Sequence, residues 1–148
     1  DMEDRLLEQK DEIRKIMVQM EGSRKKILRP HFLDLGLTLG MGQPRILNQL
    51  CRKDGITQKE LADQCHLDVT TLSRTLDRME EAGWLERTVH PGSRRSFFIR
   101  LTPEGRKKAL RVREHFERLD EQMCRGFSPE ELDQLENFLN RMQENLES

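Results

Sequence analysis

The chain has 148 residues, of which 34% are hydrophobic and 36% charged, and its formal net charge is −1. This length fits one domain, and the excess of charge suits long solvated helices or arms whose apolar partner lies on a second chain. There is no signal-peptide pattern, no apolar run near the roughly 20 residues of a membrane span, and no metal-ligand spacing among Cys51, Cys65 and Cys124. A cytoplasmic protein without membrane anchor, disulfide or cofactor is therefore expected.

The near-zero charge hides an asymmetry. From His66 to Arg113 there are eleven Lys/Arg against six Asp/Glu; from Glu114 to Ser148 there are three against ten. One part is suited to attract phosphate and the other to avoid it.

In chain order, residues 2–29 read as a helix, with Leu6, Ile13, Ile16, Met17, Met20, Ile27 and Leu28 at three- and four-residue steps. Pro30 punctuates it, and a separate short helix is expected over Pro30 to Asp34. Gln43 to Lys53 is a further helix, with Pro44 in its first turn and Gly55 beyond its end. Thr57 and Glu60 make a capping box for the next helix, and Cys65-His66-Leu67 is a short turn. Asp68 caps a helix that Gly83 stops. Trp84 to Val89 and Ser96 to Leu101 read as two strands joined by a loop containing Pro91-Gly92. Thr102-Pro103-Glu104 opens a long helix to about Arg125. Ser128-Pro129-Glu130-Glu131 opens the last, which carries Leu132, Leu135, Phe138, Leu139, Met142 and Leu146 at helical spacing.

The helix over 68–81 has two distinct faces. At about 100° per residue, Val69, Leu72, Leu76 and Met79 form one apolar stripe. Thr70, Arg74 and Arg78 lie opposite, with Thr71 and Ser73 on the flanks and two acids, Asp77 and Glu81, towards the far end. Arg can bond guanine O6 and N7 together, and Thr can donate to a base or touch a thymine methyl. The loop that follows carries Arg94 and Arg95, suited to phosphate or the minor groove. A polar reader helix joined to a basic hairpin points to double-stranded DNA.

These words together resemble a known family. The runs Thr57-Gln58-Lys59-Glu60-Leu61-Ala62, Asp68 to Arg78, Gly83-Trp84-Leu85-Glu86-Arg87, Arg94-Arg95 and Leu101-Thr102-Pro103-Glu104-Gly105 are similar to the multiple-antibiotic-resistance regulator (MarR) family of bacterial winged-helix transcription factors. The resemblance implies a mainly α fold with a small β-hairpin wing, in one MarR-like domain over 1–148. A winged helix-turn-helix would span 44–101, and helices in 2–29 and 103–146 would interlock as a homodimer. It implies a repressor on a pseudo-palindromic operator, with Thr70, Thr71, Ser73, Arg74 and Arg78 at the major groove and Arg94 and Arg95 on the wing. Arg95 aligns with the family's minor-groove arginine. Where the family often has an acid two positions before that arginine, this chain has Ser93, and His90 replaces another frequent acid. Release by a small aromatic or lipophilic effector is implied too, and His31, Phe32, Met41 and Phe116 are the residues named for its cavity.

The rival reading is a winged-helix module that meets an acidic protein, favoured by Asp77 and Glu81 on the outer face. Catalysis is not expected, since there is no Gly-rich phosphate loop, nucleophile elbow or paired-acid motif. The four histidines lie on different predicted elements, which argues against zinc. Cys65 reads as a small buried residue rather than a reactive thiol.

Overall fold

The computed structural model describes residues 1–89, 92 and 97–148. Among the described residues, six helices and three short strands follow in the order α1 (Met2–Asp34), α2 (Gln43–Arg52), β1 (Ile56–Thr57), α3 (Gln58–Cys65), α4 (Val69–Glu81), β2 (Leu85–Val89), β3 (Phe97–Leu101), α5 (Pro103–Met123) and α6 (Pro129–Glu147). The protein is mainly helical, with one small antiparallel sheet in the order β1-β3-β2. Contacts divide it into two units, Asp1–Phe116 and Glu117–Ser148.

The first unit holds the core that positions the site. Ile46, Leu47 and Leu50 of α2, Leu61 of α3, Leu72, Leu76 and Met79 of α4, Leu85 of β2 and Ile99 of β3 are all fully or almost fully buried. Ile99 is the centre of the sheet, opposite both Ile56 and Arg87. Strand β1 is an addition to the expected hairpin. At two residues it is too short to show alternation. It is held by Asp54, whose Oδ1 accepts from the Gly55 and Leu101 N–H groups at 2.9 and 3.0 Å.

Helix α1 also departs from expectation: it is one helix of 33 residues with Pro30 inside it. A proline ring removes one ladder hydrogen bond and crowds the preceding turn. Here Leu28 and Phe32, one turn apart across Pro30, are both buried and keep the two sides on one axis.

Three helix starts follow their sequence signals. The Asp68 carboxylate accepts from the Thr71 N–H at 2.8 Å, Ser128 and Glu131 form a complete capping box, and Thr102 Oγ1 accepts from the Gly105 N–H at 3.0 Å. Thr57 makes half of its box. Its hydroxyl accepts from the Glu60 N–H, but the Glu60 carboxylate takes the Thr57 hydroxyl proton rather than the backbone N–H. The backbone of Thr57 also runs in β1 opposite Phe98.

Gly83 ends α4 in a left-handed turn, with Gly83 N–H on the Glu80 carbonyl and Trp84 N–H on the Met79 carbonyl, both at 3.0 Å. Gly105 is required for a different reason. A Cβ there would stand 1.7 Å from the Trp84 carbonyl oxygen. The Leu101-to-Gly105 run therefore lets the first turn of α5 press against the start of the hairpin.

In the second unit, α6 buries no residue. Its Leu135, Phe138, Leu139 and Met142 are 42–52% exposed, although they form the apolar stripe expected from their spacing.

Candidate nucleic-acid interface

Helix α4 is presented by a tight break after α3. His66 caps α3 with φ of 53°, and the Leu67 N–H returns to the Ala62 carbonyl at 3.1 Å. Histidine is among the side chains that tolerate this left-handed region. Arg45 from α2 donates to the Cys65 carbonyl at 2.8 Å, so the open end of α3 is satisfied by a cation. Cys65 itself is buried, and burial pushes its thiol up to about 11. It is therefore held as a thiol at neutral pH, where the thiolate would be the reactive form.

The inner face of α4 differs from the expected stripe at one position. Leu72, Leu76 and Met79 are buried, but Val69 is 70% exposed and Thr75 is fully buried in its place. Val69 is the first residue of the helix, and its side chain is left to solvent. Thr75 tolerates burial because its hydroxyl lies 2.7 Å from the Met41 carbonyl and 2.9 Å from the Thr71 carbonyl.

The outer face carries the expected polar set. Thr70, Arg74 and Arg78 are exposed, and Thr71 and Ser73 are half-buried. Thr71 is committed to the cap: its hydroxyl donates to Asp68 Oδ2 at 2.7 Å. Hydrogen bonds from the Thr71 N–H and hydroxyl hold the Asp68 carboxyl below the usual carboxylate range. Arg94 and Arg95 lie outside the described residues.

One interaction at this surface was not foreseen. Arg87 of β2 reaches back to α4, with Nη2 2.5 Å from Asp77 Oδ1 and 3.1 Å from Glu80 Oε1. Its backbone N–H donates to Glu80 Oε2 at 3.1 Å. The partners are ten and seven residues apart, a spacing with meaning only once the hairpin turns back on the helix.

A cleft of about 930 Å³ lies beside α1 and α2 in the first unit. Of the four residues expected at an effector cavity, Phe32 and Phe116 line it, and their rings meet edge to face at 5.4 Å. His31 and Met41 are not part of its lining. His31 stacks on His115 at 4.3 Å, and the Met41 carbonyl holds Thr75. Leu28 and Leu39 add to the apolar lining, and Arg24, Lys25, Lys26, Arg29 and Arg45 surround it, with Glu21 as the one acid. Among the described residues, no group of three or more His, Cys, Asp or Glu could hold a metal ion, and no helix is long and apolar enough to cross a membrane.

This arrangement has counterparts among known proteins. The model of the MarR family matches residues 35–96, from the end of α1 to the edge of β3. The crystal structure of a MarR family transcriptional regulator from Silicibacter pomeroyi superposes with a TM-score of 0.74 and 31% identity, over 88% of this chain and 86% of that one. The chain belongs to the MarR family. A MarR family regulator of Listeria monocytogenes, solved in complex with a 26-mer DNA, is 25% identical with a TM-score of 0.79, over 90% of this chain and 87% of that one. The HTH-type transcriptional regulator PecS of Dickeya dadantii is 35% identical over 91 residues, 62% of this chain. That match spans only 55% of PecS.

Proposed function

We propose that this protein is a sequence-specific transcriptional repressor that binds a pseudo-palindromic operator as a homodimer. The observation that carries the reading is the two-faced α4. Three large side chains are locked in the core, and Thr70, Arg74 and Arg78 stand exposed on the opposite side. A helix fixed on one face, with Thr70, Arg74 and Arg78 exposed on the other, can enter a major groove without reorganising, and its first turns meet the base edges. The likeness to a relative solved with DNA supports duplex DNA as the partner. Arg94 and Arg95 are assigned to the minor groove or phosphates beside it, on their sequence position alone.

Dimerisation is assigned to helices in 2–29 and 103–146. The supporting observation is the exposed apolar surface of α1 (Leu6, Ile13, Ile16, Met17 and Met20) and of α6 (Leu135, Phe138, Leu139 and Met142). Apolar stripes of this length on soluble helices mark a protein interface.

The effector is assigned to the cleft beside α1 and α2. Phe32 and Phe116 offer aromatic surface and the surrounding cations favour an anion, a combination that suits a small aromatic acid. Such a ligand would relieve repression by favouring an arrangement of the two reader helices that no longer fits the duplex.

The test is Arg74→Ala on a duplex recovered by binding-site selection. A bidentate contact is worth about 1–3 kcal/mol of discrimination, so binding should weaken by roughly 10- to 100-fold with relaxed sequence preference. Unchanged affinity and preference would contradict the assignment. Arg95→Ala should weaken binding to all sequences and make the salt dependence shallower by about one unit. Salt-insensitive binding, or none to any duplex, would favour the rival protein-interaction module.

A further inference from the structure

The reader helix has a charge problem that the fold itself answers. Between Val69 and Glu81 there are two cations, Arg74 and Arg78, and three acids, Asp77, Glu80 and Glu81. A helix with net negative charge would be repelled by phosphate. Arg87 reaches it from the neighbouring strand and bonds two of those acids. One guanidinium nitrogen serves both Asp77 and Glu80, while the backbone N–H of Arg87 occupies the second oxygen of Glu80.

The side chain of Arg87 is only 19% exposed, whereas Arg74 and Arg78 stand in solvent. An arginine meant for phosphate keeps its fork free. This one is committed within the protein. The Arg87 hydrogen bond holds the Glu80 carboxyl below its ordinary range. Burial alone would lower the guanidinium, but the two carboxylates outweigh it and hold it charged.

We propose that Arg87 is a positioning residue for DNA recognition: it engages Asp77 and Glu80 on the acidic side of α4, so that these two carboxylates do not face the phosphates as free charges. This rests on α4 being the DNA-binding helix. It also explains why an acid such as Asp77 can stand on the outer face without opposing that role.

The experiment measures binding to a labelled random-sequence duplex across a salt series, well below the melting temperature of each variant. Arg87→Gln should bind at least about tenfold more weakly at low salt, because two carboxylates are left facing phosphate. Adding Asp77→Asn and Glu80→Gln to Arg87→Gln should return affinity to within about threefold of the parent, although the arginine is still absent. The proposal requires the two acid changes to gain more affinity in the Arg87→Gln background than with Arg87 intact, since a phosphate contact by Arg87 would leave the gain the same in both. Parent-like binding by Arg87→Gln, or a triple variant as weak as the single one, would overturn the proposal. Asp77→Asn/Glu80→Gln with Arg87 intact provides a check that does not depend on the single variant folding. It should bind more tightly than the parent with a salt slope steeper by about one unit, because the guanidinium is released to phosphate. Weaker binding by that variant would contradict the proposal. If the parent ignores every duplex, the DNA-binding reading fails and this assignment falls with it. A parent that binds, without recovery in the triple variant, removes only the role of Arg87.

Discussion

Helices α4 and α6 carry similar apolar stripes but bury very different amounts of them. On α4, Leu72, Leu76 and Met79 are fully buried; on α6, Phe138 and Leu139 are about half exposed and nothing is buried. Apolar periodicity says that a face needs a partner. Whether the partner is in the same chain is a separate question. For α4 the partners are α3 and the sheet; for α6 we assign them to a second copy.

The largest expected effect breaks the stripe of α6. Phe138→Asp should raise the dimer dissociation constant by roughly a hundredfold or more, since each copy loses a buried aromatic worth about 1.5–3 kcal/mol and gains a charge at the interface. Sedimentation velocity reads this directly, and a parent-like dimer would end the assignment of α6. Leu76→Ala should lower stability by about 2–5 kcal/mol in chemical denaturation. Its cost should be the same at every protein concentration, whereas that of Phe138→Asp should depend on it. Val69→Thr tests the edge of the α4 stripe. With the side chain in solvent, the change in stability should stay within about 0.5 kcal/mol, and a cost like that of Leu76→Ala would place Val69 in the core.

The smallest effect concerns the cap of α4. The folded Asp68 carboxyl titrates below its ordinary value of 3.8. Its contribution is thus fully present above that value and is lost as the pH falls through the lower folded value. Comparing the parent with Asp68→Asn in acid unfolding should show the parent's advantage shrinking only below about pH 4. A constant difference down to pH 2 would contradict this.

Local chemistry was readable in the chain. Asp68, Thr102 and Ser128 announced their helices because a cap and its N–H partner are within three residues. Gly83 announced a left-handed stop for the same reason. The outer face of α4 followed from its period. What escaped depended on distance along the chain. Thr75 could replace Val69 in the core only because the Met41 carbonyl, 34 residues away, receives its hydroxyl. Strand β1 exists through Ile99 and Leu101. Arg87 was legible as part of a family word, but its hold on Asp77 and Glu80 needed the hairpin to fold back. At the cleft, composition suggested Phe32 and Phe116 together with His31 and Met41. The fold brings the two phenylalanines to its lining and commits the other two elsewhere.

The account is tested most directly by selecting binding sites from a random duplex pool with the purified chain. It predicts an inverted repeat with half-site centres about 10–10.5 base pairs apart, as two copies of α4 in successive major grooves require. Failure to enrich any sequence, or enrichment of a lone half-site bound by one chain, would contradict it.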